Sequence, residues 1–70
     1  MTVAECRDRI VAWVGERGEV RASELHTYMG DHLLLSIAQG QSDLRVLVRE
    51  GRLVRVNRYG VLYYAVWGAP

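Results

Sequence analysis

The chain has 70 residues, of which 50% are hydrophobic and 24% are charged. A chain of this length forms one domain at most, and this composition is typical of a folded protein rather than of a disordered segment. The sequence contains no run of about 18 apolar residues and no signal-peptide pattern, so we expect neither a membrane span nor export. We predict a single domain over residues 1–70, located in the cytoplasm or with nucleoid DNA.

The charge is small in total but unevenly distributed. The formal net charge is +1, and all nine basic residues are arginine. Residues 1–40 contain four arginines and six acidic residues, whereas residues 41–70 contain five arginines and two acidic residues. The basic character therefore lies in the second half of the chain.

Metal binding and catalysis have little support in the sequence. Cys6, His26 and His32 are the only soft metal ligands, and no two of them have the spacing of a zinc site. No nucleophile motif or phosphate-binding glycine loop is present, and Cys6 lies on an apolar helix stripe. We therefore expect no metal, no cofactor and no enzymatic activity. Because the single cysteine cannot form an internal disulfide, a homodimer is left open as a source of stability.

The first predicted element is a helix that begins at Thr2. Thr2 and Glu5 have the spacing of a capping box, in which each side chain accepts a hydrogen bond from a free backbone N–H. Gly18 can end the helix in a left-handed conformation. Apolar residues recur at spacings of three and four and form one stripe: Val3, Cys6, Ile10, Trp13 and Val14.

Three short helices are predicted next, after an extended link at 19–21. The first covers residues 23–29 and ends at Gly30, and the second begins at Asp31 and ends at Gly40. The third covers residues 43–50, with Ser42 as its cap and Asp43 near its positive end. Three residues of this helix are spaced to face a core: Leu44, Leu47 and Val48.

The last part of the chain predicts a β-hairpin. Residues 52–56 and 61–67 are rich in Val, Leu and Tyr, and the segment 57–60 between them has the composition of a turn. Alternate side chains of a strand must cover the helices. We assign Tyr63 and Trp67 to the core and leave Tyr64 open.

Three or four short helices followed by a hairpin resemble the winged-helix family of DNA-binding domains. The residues that support the resemblance are 22–25 at the start of a short helix, the run 47–55 across the helix end and first strand, and Gly60 with Tyr63. The resemblance implies an α+β fold in which helix 43–50 enters the major groove. The hairpin 52–67, the wing, would lie along the backbone or the minor groove.

One departure from the family concerns the helix-turn-helix. About a dozen residues separate Met29 from Ser42, whereas a simple member would have a turn of three or four residues. The partner helix is then either 23–29 with an inserted segment, or 31–39 with Gly40 in the turn. Both alternatives leave 43–50 as the helix that contacts bases.

With its apolar residues facing inward, helix 43–50 places Arg45, Val46 and Arg49 outward. Arginine can bond a guanine edge with two hydrogen bonds, and an apolar side chain can contact a thymine methyl. The alternative is that both arginines form surface ion pairs with Asp43 and Glu50. Gln39, Gln41 and Ser42 lie at the helix entry, where polar groups commonly meet phosphate, although capping is the simpler role for Ser42.

The wing adds a basic and aromatic group around its turn. These residues are Arg52, Arg55, Asn57, Arg58 and Tyr59. They can neutralise phosphates or enter a minor groove. The alternative is edge protection, in which charge on an exposed strand deters pairing between molecules.

A second hypothesis is a winged-helix module that binds protein instead of DNA. Leu33, Leu34 and Leu35 are consecutive and cannot all face one core, so at least one is expected to be exposed or to meet a partner. Trp67, Ala69 and the N-terminal helix are a further candidate dimer surface. DNA binding predicts that the arginines converge on one face without acidic residues, whereas protein binding predicts a dominant leucine-lined patch.

Overall fold

The computed structural model describes residues 1–67 of the chain, and its first element is the predicted helix, α1 (Val3–Arg17). The capping box is confirmed, since the Thr2 hydroxyl accepts a hydrogen bond from the Glu5 backbone N–H at 3.1 Å. The helix ends at Gly18, which has a φ of 81°. The predicted stripe is correct except at Val3, which lies in the first turn and is exposed.

The middle of the chain forms two helices where the sequence predicted three. α2 spans Ala22–His32 and α3 spans Ile37–Arg49, and four residues, 33–36, connect them. The predicted ends at Gly30 and Gly40 are wrong because both glycines lie inside helices. Ser42 is not a cap either. Ser36 begins α3 instead, with its hydroxyl accepting a hydrogen bond from the Gln39 backbone N–H at 3.1 Å.

The packing of α2 against α3 explains why Gly40 does not end a helix. A Cβ atom at this position would lie 3.1 Å from the Met29 Cε, closer than ordinary van der Waals contact. The glycine therefore permits close approach of two helices. The turn between them is made by Leu34, a non-glycine residue with a φ of 56°.

A three-stranded antiparallel sheet completes the fold, with strand order β1-β3-β2. Its strands are β1 (Glu19–Arg21), β2 (Leu53–Arg58) and β3 (Val61–Val66). The predicted hairpin is confirmed, and the predicted link at 19–21 becomes a third strand on its far edge. Tyr59 and Gly60 form the two-residue turn with φ values of 53° and 79°, which is the pattern of a type I′ turn.

The register of the sheet decides which aromatic residue enters the core. Val20 pairs with Tyr64, and Leu53 pairs with Val66, so these residues share the face toward the helices. Tyr64 is buried, whereas Tyr63 lies on the opposite face and Trp67 is 69% exposed. The assignment of Tyr63 and Trp67 to the core is therefore wrong, because a shift of one residue exchanges the two faces of a strand.

The core joins one face of each helix to one face of the sheet. Its buried residues are Ile10, Val14, Val20, Leu25, Met29, Leu33, Leu44, Leu47, Leu53 and Tyr64. The α+β class is confirmed, with three helices in the described part of the chain. Of these helices, none has the length and hydropathy that crossing a membrane requires.

A stack of side chains also connects α1 to α2. The rings of Trp13 and Tyr28 lie 4.5 Å apart at an angle of 15°, and the His32 ring also stacks on Tyr28, at 5.3 Å. The Arg17 guanidinium lies over the Trp13 ring at 4.4 Å. These contacts add aromatic and cation–π stabilisation outside the core.

The two glycines inside helices are expected to respond differently to alanine. Gly30→Ala meets no atom within 4 Å, so it should raise the free energy of unfolding by about 0.5 to 1 kcal/mol through helix propensity. Gly40→Ala must displace the Met29 side chain, so it should raise the free energy of unfolding by less, or lower it. Urea denaturation followed by circular dichroism measures both. A larger gain at Gly40 than at Gly30 would contradict the close packing of α2 and α3.

Candidate functional site

A groove of about 360 Å³ lies between α2, α3 and the β2–β3 hairpin. Five polar or charged residues line it: His26, Gln41, Arg45, Arg55 and Tyr64. Ala22, Leu44, Val48 and Leu62 supply the apolar part of its surface. No acidic residue of the described chain lines the groove, so its charge is positive.

Neither arginine of the groove has an ion-pair partner, in contrast to three other arginines of the described chain. Arg7, Arg52 and Arg58 are bound to carboxylates. Within residues 1–67, neither Arg45 nor Arg55 makes a salt bridge. An unpaired guanidinium keeps all of its donors available for an external anion.

The outward face of α3 extends this basic surface. At 100° per residue, Ala38, Gln41, Ser42, Arg45 and Arg49 fall within an arc of about 100°, and all five are exposed. Asp43 is the only acidic residue in α3, and it lies on the opposite, buried side. The expected alternative, pairing of Arg45 and Arg49 with Asp43 and Glu50, is not found among the described residues. The outward face is therefore uniformly basic or neutral.

Two other predicted contact residues lie away from this surface. Val46, expected on the outward face, is half-buried because it lies toward the inner side of α3. Arg58 is bound to Glu19 at 2.8 Å. Since Arg55 and Arg58 are three residues apart on one strand, their side chains leave opposite faces of the sheet. The basic group predicted around the hairpin turn is thus divided, and Arg55 alone faces the groove.

The turn of the hairpin presents Tyr59 at its tip, where the side chain is fully exposed. Asn57 supports the turn, since its Oδ1 accepts a hydrogen bond from the Gly60 backbone N–H at 3.1 Å. Arg52 is bound to Asp8 of α1 at 2.8 Å, which ties the start of β2 to the first helix. Asn57 and Arg52 therefore have structural contacts of their own.

His26 and Tyr64 belong to the groove although the sequence does not indicate it. From the sequence, His26 is a candidate only for metal binding, and Tyr64 has no assigned face. The helix spacing places His26 one turn after Ala22, on the side of α2 that faces α3. The sequence contains this spacing, but it does not show that α3 lies opposite His26. The predicted helix begins at residue 43, whereas α3 begins six residues earlier, at Ile37.

An ion pair with one buried partner connects α3 to α1. The Asp43 side chain is 1% exposed, and its Oδ1 accepts hydrogen bonds from the Arg7 Nε at 3.1 Å and from the Gln39 Nε2 at 3.3 Å. The prediction that Asp43 sits near a positive helix end is wrong, because α3 begins at Ile37. Asp43 instead connects α3 to α1.

The described residues contain no group of three or more His, Cys, Asp or Glu side chains that could hold a metal ion. Cys6 is buried as a free thiol. Ala69, part of the candidate dimer surface, lies outside the described residues. The polar residues that line the groove offer hydrogen bonds and positive charge to an anion.

Comparison with models of protein families, with curated proteins and with solved structures found no match to this chain. The functional proposals therefore depend on the groove and on the outward face of α3.

Loss of the buried carboxylate should weaken the fold. Asp43→Asn removes a buried charge that accepts hydrogen bonds from Arg7 and Gln39, and it should lower the free energy of unfolding by about 1 to 3 kcal/mol. The matched control is Asp8→Asn, which breaks the exposed pair with Arg52 and should lower it by less than about 1 kcal/mol. Both are measured by urea denaturation. Equal effects of the two variants would show that Asp43 does not have the structural role assigned to it.

Proposed function

We propose that this chain is a winged-helix protein that binds double-stranded DNA, with α3 in the major groove and the β2–β3 hairpin as the wing. The main support is the group of three arginines without ion-pair partners among the described residues: Arg45 and Arg55 at one groove, and Arg49 on the adjoining face of α3. No acidic residue of the described chain lines the groove, and the one acidic residue of α3, Asp43, is buried on its other side. The convergence expected of a surface for phosphates and base edges is therefore met by three of the five arginines of helix and wing, since Arg52 and Arg58 are bound to carboxylates.

The connection between the helices supports the same proposal. The sequence left two partner helices open, 23–29 with an inserted segment or 31–39 with Gly40 in the turn. A separate helix at 31–39 is not found, because residues 31–32 end α2 and residues 37–39 begin α3. The link has only four residues, 33–36, because α2 continues past Gly30 and α3 begins at Ile37. A turn of this length fits the resemblance, and no inserted segment separates the two helices.

The longer α3 gives the proposed DNA contacts a definite order along the helix. Gln41 lies one turn before Arg45, and Arg49 lies one turn after it. A glutamine can bond adenine with two hydrogen bonds, and an arginine can bond guanine in the same way, each pairing being worth about 1 to 3 kcal/mol of discrimination. Ser42 lies beside them on the exposed face and is suited to a phosphate contact.

The wing contributes fewer contacts than the sequence predicted. Arg55 is available for a phosphate, and Tyr59 is exposed at the tip of the turn. Arg58 would first have to leave Glu19, so we assign it no DNA contact. Because one helix reaches only a few base pairs, a specific site would take two copies of the chain on two-fold symmetric DNA.

Removal of the outward arginines should weaken DNA binding. The Arg45→Ala, Arg49→Ala double variant lacks two cationic side chains, so we expect roughly tenfold or greater weakening at low salt. The slope of log K against log salt should also become shallower, by about 0.9 for each phosphate that is no longer neutralised. Fluorescence anisotropy of a labelled random-sequence duplex, titrated at several salt concentrations from about 50 mM upward, measures both quantities.

A charge-matched control separates a specific face from general attraction. Arg9→Ala, Arg21→Ala removes two exposed arginines that do not line the groove, and Arg21 pairs in register with Tyr63 on the other face of the sheet. This control should bind nearly as well as the unmodified protein. Equal losses in both double variants, or no binding at about 50 mM salt, would refute the proposed interface.

A second candidate function, binding of a protein partner, is favoured by the α2–α3 link. Leu34 is 85% exposed and Ile37 is 73% exposed, whereas Leu33 is buried and Leu35 is half-buried. Leu34 also has a left-handed backbone, which favours Gly or Asn over leucine. An exposed leucine in an unfavourable conformation buries little surface within the chain, and this observation favours a partner.

Replacement of this leucine tests that observation. Leu34→Asn should leave the free energy of unfolding unchanged or raise it by up to about 1 kcal/mol, since asparagine tolerates the left-handed region. If Leu34 contacts a second copy, sedimentation velocity will show self-association that the variant loses. Destabilisation by more than about 1 kcal/mol would mean that Leu34 packs within the fold, which would remove the basis for this candidate.

A further inference from the structure

Tyr64, which lines the groove between α3 and the hairpin, has a hydroxyl that is free to bond a ligand. The residue is 7% exposed and lines the groove, yet its hydroxyl makes no hydrogen bond within residues 1–67. Buried tyrosine hydroxyls usually have a partner. In the described part of the chain, no fully enclosed side-chain polar atom lacks a partner. The Tyr64 hydroxyl is therefore not fully enclosed, and because Tyr64 lines the groove, we infer that the hydroxyl lies at the groove surface.

The other polar side chains of the groove are also without internal partners. Arg45, Arg55, Gln41 and His26 make no side-chain hydrogen bond to the described residues. Together they offer two guanidiniums, an amide and an imidazole, and no carboxylate competes with an incoming anion. Several convergent, unpartnered polar groups in a concave site are typical of a ligand site. The charge indicates an anionic ligand.

The apolar part of the groove indicates the rest of the ligand. Leu44, Val48 and Leu62 lie between the polar groups, and Val48 and Leu62 are only half-buried. A bare inorganic anion would leave this surface exposed to water. A ligand with an apolar body would cover it, at about 25 cal/mol for each Å² removed from water. The volume of about 360 Å³ falls in the lower range of small-molecule sites.

We propose that this groove binds a small organic carboxylate. The carboxylate accepts hydrogen bonds from the Tyr64 hydroxyl and from Arg45 or Arg55, and the apolar body covers Val48 and Leu62. The consequence for regulation rests on the proposed DNA-binding function. Because Arg45 and Arg55 serve both ligands, the carboxylate and DNA bind in competition, and the carboxylate releases the protein from DNA.

Titration of the full chain with octanoate, benzoate and inorganic phosphate tests the site without DNA. We expect saturable amide chemical-shift changes in two-dimensional NMR at Val48, Arg55 and Leu62 with at least one of the two carboxylates. Phosphate should bind more weakly because it has no apolar body. Tyr64→Phe should weaken carboxylate binding about five- to tenfold through loss of one charged hydrogen bond. Tyr63→Phe, the same change on the opposite face of the sheet, should have no effect.

Two results would overturn the proposal. One is the absence of saturable shifts with both carboxylates. The other is phosphate binding as tight as that of the carboxylates together with no effect of Tyr64→Phe, which would make the groove a site for a DNA phosphate alone. Both variants keep the aromatic ring, and circular dichroism confirms their folding.

A competition experiment between the carboxylate and DNA distinguishes this proposal from the DNA proposal. The carboxylate that binds should displace the labelled duplex from the unmodified protein, and Tyr64→Phe should require about five- to tenfold more of it. If the protein binds the carboxylate but no DNA, the ligand site stands and the DNA function fails. If carboxylate occupies the groove and DNA stays bound, the competition is refuted.

Discussion

The hydrogen-bonded pair of Arg7 and Asp43 is the constraint on which the arrangement of the functional surface depends. Asp43 is the one charged residue buried in the described chain, and burial of a carboxylate is unfavourable unless a cation and donors surround it. α1 packs mainly on the strands, whereas α3 packs mainly on α2 and β2. The pair therefore provides a direct polar connection between α1 and α3. With Asp43 held inward, Arg45 and Arg49 must face outward.

Local rules in the sequence are sufficient for the first helix and the hairpin. The capping box of Thr2 and Glu5 predicts the start of α1. The change from helical to strand periodicity predicts the two strands, and Gly60 predicts the turn between them. The same rules fail at Gly30 and Gly40, where they predict helix ends. Gly40 is required by the proximity of Met29 on another helix, and a sequence does not show which helices approach each other. Leu34, not a glycine, adopts the left-handed turn.

The candidate site is only partly predictable from the sequence, because it depends on ion pairs and packing between different helices and strands. Helix and strand periodicity identify Arg45, Arg49 and Arg55, and all three lack ion-pair partners among residues 1–67. Arg58 is equally basic in the sequence, but Glu19 binds it across the sheet. His26 and Tyr64 are not predicted as site residues, since their membership depends on where α3 begins and on the register of β3. A count of charged residues does not distinguish arginines that form ion pairs from arginines that can bind a ligand.

The position of β3 in the sheet has a consequence for synthesis of the protein. β3 lies between β1 and β2, yet it follows both of them in the chain. While the ribosome makes residues 1–60, neither of the earlier strands has its hydrogen-bonding partner. The helices can form on local contacts, but their apolar faces remain open until Tyr64 and its neighbours emerge. The sheet therefore cannot form until β3 is available, and the core stays incomplete before that step.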